Sequence, residues 1–360
     1  MLFPTADVVV NPVLLLLLGL ILGTLSGFFG VGGGFLITGG LLVFGVPAPF
    51  AVGTGLTLIM GSSIINTLKH RSLGNVDIKL GLLMVCGTIP ALFLAQWIIG
   101  RLKATGLEEP TIRYTYVVVL ALLGSFIVYD YWRSRRRSSN QPGEVFTAGF
   151  TRRIQALRLP PHSIRVPGLG SVSTYISLPK SGIDHISIFI PLTVGMLAGL
   201  FAGMLGAGGG TILMPILIFV LGVPTTVAIG TDLFQIIITG SAGTFIKAFS
   251  NEVDPLMVVI MLTSASVGAQ LGATATKIVD AARIRILFGL TVLSGSVAVG
   301  LEQASKSIPG AEFLSTAASF LLLGFSGAIC LVIAVMVILA RRERRALARV
   351  ASQKFQGVGD

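Results

Sequence analysis

Charge is scarce in this sequence. Only 11% of the 360 residues are Asp, Glu, Lys or Arg, whereas 53% are hydrophobic. An ordinary soluble domain carries about 25% charged residues, so this composition excludes a soluble enzyme, a nucleic-acid-binding domain and a disordered chain. Three histidines and two cysteines are also few, and the cysteines lie in apolar runs without the spacing of a metal or redox motif. The composition predicts an all-α polytopic membrane protein.

The positive charge is concentrated in two places. Residues 133–185 hold nine Lys or Arg against two acids, and residues 341–360 hold six against two, which together account for the net charge of +11. Basic clusters directly after apolar spans are typical cytoplasmic anchors that contact anionic lipid headgroups, so we expect lipids and no nucleic acid as partners. The first 12 residues lack the basic region of a cleaved signal peptide, and we expect them to stay in the mature chain.

The clearest feature is an internal repeat, in which short motifs recur in the same order about 177 positions later. The pairs are GFFGVGGG at 27–34 with GMLGAGGG at 203–210, GVP at 45–47 with 222–224, VGT at 52–54 with IGT at 229–231, and NVD at 75–77 with EVD at 252–254. A G-x-x-x-G-x-x-x-G series also recurs, at Gly19, Gly23 and Gly27 and at Gly195, Gly199 and Gly203. Repeats of this length in an apolar chain predict a transporter built from two related halves.

The apolar runs divide into segments. Residues 8–68 contain no charged residue and no histidine, which at about 1.5 Å per helical residue far exceeds one crossing of the bilayer. Glycine clusters and prolines predict the breaks, and the expected segments are 12–30, 34–45, 48–69, 75–99, 110–131, 186–206, 211–222, 225–247, 255–277, 284–301 and 313–340. The expected units are a first transmembrane repeat at 1–132, a basic linker at 133–185, a second repeat at 186–301, an extra span at 302–340 and a basic tail at 341–360.

Loop charge predicts the orientation of the two repeats. Segments 34–45 and 211–222 are too short to span comfortably, so each is expected to return beside the segment before it as a helical hairpin. If the tail is cytoplasmic, this arrangement places every basic loop in the cytoplasm, whereas a single crossing for each pair would place the tail outside. We therefore predict inverted repeats, with the linker and the C-terminus on the cytoplasmic side of the inner membrane.

The central linker is expected to be small and not catalytic. Its SIRV-PGLG-SVSTYISL stretch has β-branched alternation around a Pro/Gly turn, which predicts a β-hairpin. His162 and His185 have no partner motif and are expected to be solvated.

The two glycine clusters are candidate substrate-binding elements. Neither continues into a nucleotide-binding motif. Broken backbone survives in a membrane only where protein or a wet cavity surrounds it, and the N-termini of the short helices that follow would favour an anion. The candidates are Gly30, Gly32, Gly33, Gly34, Gly206, Gly208, Gly209 and Gly210. For the G-x-x-x-G series we instead favour tight helix packing.

Polar residues inside the spans complete the candidate site. Thr54, Thr231, Asn66 and Gln235 are candidate substrate ligands, although a threonine hydroxyl can equally bond to its own helix. Asp232 is the only charge in residues 186–246, and it either carries a coupling proton or a polar ligand or is a solvated residue at the cytoplasmic end.

Basic side chains at the ends of the third segment of each repeat are candidates for gating. His70 and Lys247 occupy matching positions in the two copies. Such side chains either reach toward the membrane interface or attract an anion into a vestibule.

The motifs GFFGVGGGFL, GVP, AVGTGL and NTLKHRSLGNVD, with their second copy, resemble those of the sulfite exporter TauE/SafE family, also called the toluene sulfonate uptake permease family. The likeness covers nearly all of 12–301, and the second copy departs from the H-x-x-x-G-x-V-D pattern by carrying Lys247 in place of His70. The resemblance implies a carrier of sulfite, a sulfonate such as sulfoacetate, or a related small organic anion.

The expected function is therefore secondary transport of a small sulfur-containing anion by alternating access, without a cofactor. The alternatives are an anion channel, a carrier of another small organic anion, and, from a different class, an intramembrane enzyme or a non-transporting scaffold. An enzyme would need a paired nucleophile and base or a metal set, and the spans offer neither a His pair nor a pair of acids. The substrate, the direction, the coupling ion and the oligomeric state stay open, a homo-oligomer included.

Overall fold

The chain is an all-α polytopic membrane protein with a few short β-hairpins. The computed structural model describes residues 1–137, 148–155, 163–166, 170–205, 209–308, 311 and 313–356. Within these ranges, eight helices are long and apolar enough to cross a membrane. Three residues singled out from the sequence lie outside the described part: Gly206, Gly208 and His162.

The first repeat follows the predicted order of segments. Its helices are α1 (Pro12–Phe29), α2 (Gly34–Val43), α3 (Ala48–Ser72), α4 (Ile78–Ala104) and α5 (Glu108–Arg137). A short hairpin, in which the two-residue strands β1 (Leu2–Phe3) and β2 (Val8–Val9) pair, precedes them. The start of α1 is fixed by Asn11, whose side-chain oxygen accepts a hydrogen bond from the N–H of Val13, and by Pro12 at the first helical position.

The second repeat contains the equivalent helices. They are α7 (Phe189–Leu205), α8 (Gly210–Pro215), α9 (Thr225–Phe249), α10 (Pro255–Ala275) and α11 (Ala281–Ser307). After Pro215, α8 continues into one π-helical stretch, Ile216–Val220, a rare conformation that occurs mostly as a single turn within an α-helix. The last helix, α12 (Phe313–Gln356), runs without a break from the extra apolar span into the basic tail.

The G-x-x-x-G series pack the two repeats together. A Cβ atom at Gly23 would lie 2.1 Å from the carbonyl oxygen of Ala265, and one at Gly199 would lie 2.3 Å from that of Thr88. These positions therefore bring α1 of the first repeat against α10 of the second, and α7 against α4, at a separation that only glycine allows. The structure gives these glycines the packing role that the sequence analysis favours for them.

Helix directions follow from these contacts. Gly19 and Gly23 face Met261 and Ala265 in ascending order, so α1 and α10 run parallel. By contrast, Gly240 faces Met60 while Gly243 faces Leu56, so α3 and α9 run antiparallel. Inverted repeats require α1 to run parallel to α10 and α3 to run antiparallel to α9. The inversion of the whole repeats relative to the membrane stays a prediction.

The short helix α2 returns along α1. A Cβ atom at Gly33 would lie near Leu22, and one at Gly40 would lie 2.8 Å from the Leu18 side chain. The segment after the first glycine cluster therefore folds back beside the helix before it, as expected for a helical hairpin.

The linker contains α6 (Ala148–Gln155) and two antiparallel hairpins. The predicted hairpin is confirmed as β3 (Ser163–Val166) paired with β4 (Gly170–Ser173). A second one, β5 (Tyr175–Leu178) with β6 (Ile183–Ser187), was not predicted. His185 on β6 is exposed, as expected.

The linker is attached to the membrane helices by specific hydrogen bonds. Ser181 donates to the Asp77 carboxylate at 2.7 Å, and Thr151 donates to the carbonyl oxygen of Phe219 at 3.0 Å. Gln155 donates to the carbonyl oxygen of Leu221 at 2.8 Å. The linker therefore contacts both the start of α4 and the end of the π-helical stretch that follows α8.

Candidate functional site

Both glycine clusters interrupt a helix with backbone that L side chains rarely adopt. Gly30 ends α1 in the left-handed region, at φ +77°, and Gly32 and Gly33 follow at +70° and +74°. In the second cluster, Gly209 has φ +78° and directly precedes α8. Glycine tolerates these angles because it has no Cβ. The clusters are therefore true breaks, not glycine-rich stretches of continuous helix.

The two breaks meet inside the protein. A Cβ atom at Gly210 would lie 2.8 Å from the carbonyl oxygen of Val31 and 3.0 Å from Oδ2 of Asp232. One at Gly32 would lie 2.6 Å from the side chain of Ile59 on α3 and 3.3 Å from that of Ile236 on α9. The meeting point is therefore bounded by α3 and α9.

Asp232 is fully buried at this meeting point. Neither of its carboxylate oxygens has a hydrogen-bond partner in the described part of the chain. A solvated residue near the cytoplasmic end of its span, one of the alternatives from the sequence, would expose its carboxylate, whereas the Asp232 side chain is buried. An intramembrane carboxylate is costly and therefore points to a function.

A hydrogen bond from its amide nitrogen fixes the side chain of Gln235, which lies one turn after Asp232. This nitrogen donates to Oγ1 of Thr88 at 2.8 Å, and Thr88 in turn donates to the carbonyl oxygens of Met84 and Gly195. The amide oxygen of Gln235 has no partner among the described residues. The α4–α7 contact thus orients Gln235 so that its acceptor stays free. Thr88 is not among the residues predicted from the sequence, although its hydroxyl within an apolar span was a signal for it.

Thr54 and Thr231 each bind the opposite repeat. Oγ1 of Thr54 accepts the backbone N–H of Asp254, and Oγ1 of Thr231 accepts that of Asp77, both at 3.0 Å. Both aspartates begin a helix, since their carboxylates accept N–H groups of the first turns of α10 and α4. This geometry gives the two threonines a structural bond that joins the repeats.

The glycine before each threonine makes room for this contact. Cβ atoms at Gly53 and Gly230 would lie 2.1 and 2.2 Å from the carbonyl oxygens of Glu252 and Asn75. The repeated Gly-Thr and Val-Asp motifs therefore form one pair of contacts across the two repeats.

Asn66 and His70 form a second buried polar group, where α3 packs against the end of α1. Asn66 donates to Oγ of Ser26 at 3.1 Å, and Nε2 of His70 lies 3.0 Å from the carbonyl oxygen of Gly27. Because a carbonyl oxygen only accepts, Nε2 carries the proton and a neutral ring leaves Nδ1 as an acceptor. The His70 side chain is fully buried, unlike its exposed neighbours Lys69 and Arg71.

Lys247 differs from His70 despite its matching position. Its ammonium group lies 2.7 Å from the carboxylate of Glu252, and that carboxylate also lies 3.9 Å from Nζ of Lys103. The charge of Lys247 is therefore largely compensated. The structure does not bring His70 and Lys247 together, because each lies near the C-terminal end of one of two antiparallel helices.

The architecture is that of a multi-pass membrane protein with paired helix breaks, and sequence comparison identifies the family. The chain matches the family described as Sulfite exporter TauE/SafE over residues 15–299. It belongs to this family of membrane transporters.

Individual relatives are distant and carry general names. The chain is 24% identical to the probable membrane transporter protein YunE of Bacillus subtilis, over 74% of this chain and 88% of the relative. It is 22% identical to the probable membrane transporter protein YjnA of the same organism, over 72% of this chain and 88% of the relative. A probable membrane transporter protein of Methanocaldococcus jannaschii, MJ0441, is 25% identical over 57% and 60%. No solved structure matches the chain.

Proposed function

We propose that this protein is a secondary transporter that moves a small sulfur-containing anion, sulfite or an organosulfonate such as sulfoacetate, across the cytoplasmic membrane by alternating access. The observation that carries the proposal is the meeting of the two breaks, where Gly210 lies against the Val31 carbonyl and Asp232. A packed scaffold has no need of paired backbone breaks at one point. The family supports transport, and the substrate class comes from the family description.

The first break offers donors for an anion. Helix α2 begins at Gly34, directly after three glycines with positive φ, and the first N–H groups of a helix have no partners within it. These groups, with the helix dipole, favour negative charge. We infer that Gly30, Gly32, Gly33 and Gly34, with Gly209 and Gly210 opposite, line the substrate path.

The proposed movement lies between the two repeats, treated as units at 1–132 and 186–301. Helices α3 and α9 pack against each other beside the meeting point, and glycines lie in their contact, such as Gly240 against Met60. A rocking of one repeat on the other would open the site to each side in turn. We place the basic linker and α12 tail in the cytoplasm, where they would contact anionic headgroups.

Transport into proteoliposomes tests this function. Purified protein is reconstituted, and uptake of labelled sulfite and sulfoacetate is measured with and without the same unlabelled anion inside. Acceleration by internal substrate supports a carrier. Conductance without such acceleration would instead support an anion channel, and uptake of carboxylates alone would contradict the sulfur-anion assignment.

Ligand selectivity is measured separately from transport. The thermal unfolding midpoint is followed with sulfite, thiosulfate, sulfoacetate, taurine, sulfate and a carboxylate control, because a ligand that binds only the folded state raises the midpoint. Gly33→Val is expected to remove the response, while Gly106→Val, which has the same left-handed backbone but open space around it, should keep it. A normal response in Gly33→Val would contradict a role for this break in binding.

A further inference from the structure

Asp232 presents a charge problem if the proposed function is correct. Its carboxylate is fully buried beside the meeting point of the breaks, and no described Lys, Arg or His forms an ion pair with it. An uncompensated buried carboxylate carries a large desolvation cost even after relaxation, and it would repel an anionic substrate. A positive charge, either a proton or a cation, must therefore accompany the Asp232 carboxylate.

Two further buried side-chain oxygens, on residues close in sequence to Asp232 and to Gly210, also have no hydrogen-bond partner among the described residues. The amide oxygen of Gln235, one turn further along the same face of α9, is buried and has no partner among the described residues. The buried hydroxyl of Thr211, the residue after Gly210, also has none. The carbonyl oxygen of Val31 and Oδ2 of Asp232 each lie within 3.0 Å of one point, the Cβ position at Gly210.

This set of atoms fits a metal cation better than a proton. A proton on Asp232 satisfies one further acceptor, whereas a cation satisfies a carboxylate, an amide oxygen, a hydroxyl and a carbonyl together. Carboxylate and carbonyl oxygens suit hard cations, and in secondary transporters the carbonyls of unwound helices coordinate coupling ions. The donor nitrogen of Gln235 is already held by Thr88, so its oxygen is the atom left for a ligand.

We propose that Asp232, Gln235, Thr211 and the carbonyl oxygen of Val31 bind one sodium ion. This inference rests on the proposed anion transport, since the ion neutralises the carboxylate and allows an anion to enter beside it. The first repeat has Gly55 and Leu58 where the second has Asp232 and Gln235, so the proposed site has no counterpart at the equivalent positions of the first repeat.

Sodium-dependent stability tests the site without a transport assay. Full-length protein in detergent is heated in NaCl, KCl or N-methyl-D-glucamine chloride at constant pH and ionic strength. The unfolding midpoint is expected to rise by several degrees in NaCl alone and to increase with the logarithm of its concentration. Asp232→Asn and Gln235→Leu should lose this dependence, and Asp280→Asn, which removes an exposed carboxylate, should keep it.

The outcomes separate this proposal from the transport function. No sodium dependence in the unmodified protein, or full dependence in Asp232→Asn, would overturn the site. Stabilisation by acid without sodium, lost in Asp232→Asn, would assign the site to a proton and also overturn it. If Asp232→Asn fails to fold, Gln235→Leu and the comparison of salts decide. Sulfite and sulfoacetate are titrated on the same samples. If neither anion binds while sodium still does, the proposed substrate is contradicted and the cation site remains supported.

Discussion

Thr231 accepts a hydrogen bond from the backbone N–H of Asp77 at 3.0 Å, although the two residues are 154 positions apart in sequence. The same bond joins Thr54 to Asp254 in the opposite sense. Each repeat thus supplies a threonine hydroxyl that accepts the N–H at the start of a helix in the other repeat. The Gly-Thr and Val-Asp motifs are therefore two halves of one structural contact, made twice.

Removal of either hydroxyl should weaken the fold by a similar amount. Thr54→Val and Thr231→Val each leave a buried N–H without an acceptor, so we expect a loss of about 1–3 kcal/mol of stability and a lower unfolding midpoint in detergent. Thr193→Val is the control, because this hydroxyl bonds only to its own helix. Equal midpoints for Thr231→Val and Thr193→Val would show that the contact between the repeats contributes little.

The glycine series should not tolerate even one methyl group. Gly23→Ala and Gly199→Ala place a Cβ within 2.1 and 2.3 Å of a carbonyl oxygen on a neighbouring helix, which forces the helices apart. Overpacking of this kind costs about 1–3 kcal/mol, so we expect a clear fall in midpoint for both. Gly300→Ala and Gly324→Ala should not lower it, because these positions meet no atom within 4 Å and alanine favours a helix more than glycine does. If all four variants behaved alike, the close approach of α1 to α10 and of α7 to α4 would be in doubt.

Substitution at the meeting point of the breaks should affect transport more than stability. Gly210→Ala puts a methyl group between the Val31 carbonyl and the Asp232 carboxylate, so we expect uptake of the substrate anion to be lost while the protein still inserts and unfolds cooperatively. Gly39→Ala in α2 meets only the Leu322 side chain at 3.7 Å and serves as the matched control. Normal uptake by Gly210→Ala would remove the breaks from the transport path.

Local patterns predicted the helices well and the contacts between them poorly. Long apolar runs, glycine clusters and prolines act within a few residues of themselves, which is why α1 to α5 and α7 to α11 lie where the sequence places them. The bond from Asp254 to Thr54 spans 200 positions and has no local signal. Likewise, Asp232 is buried where the two breaks meet, with Gly210 of its own repeat lying against both Asp232 and Val31 of the other repeat, and periodicity within α9 carries no information about these breaks.

The hydrogen bond from Ser181 in the linker to Asp77 should contribute to stability. Ser181 donates to the carboxylate of Asp77, the residue that also caps α4 and binds Thr231 through its N–H. Hydrogen bonds to charged groups contribute about 1.5–3 kcal/mol, so Ser181→Ala should lower the unfolding midpoint measurably. Ser72→Ala, whose hydroxyl is exposed and bonds to its own helix, is the comparison. A midpoint for Ser181→Ala equal to that of Ser72→Ala would mean that this hydrogen bond contributes little to stability.

Accessibility at the ends of α3 and α9 decides whether the repeats are inverted. Leu73 follows α3 and Ser250 follows α9, and these helices run antiparallel. In a chain with Cys86→Ala and Cys330→Ala, single cysteines at 73 and 250 should therefore react with an impermeant thiol reagent from opposite sides of the membrane. Inverted repeats with a cytoplasmic linker place position 73 inside and position 250 outside, because Lys69, Arg71 and Lys79 flank the first and follow the positive-inside rule. Labelling of both positions from one side would contradict the inverted topology, and alternating access between inverted halves would have to be abandoned with it.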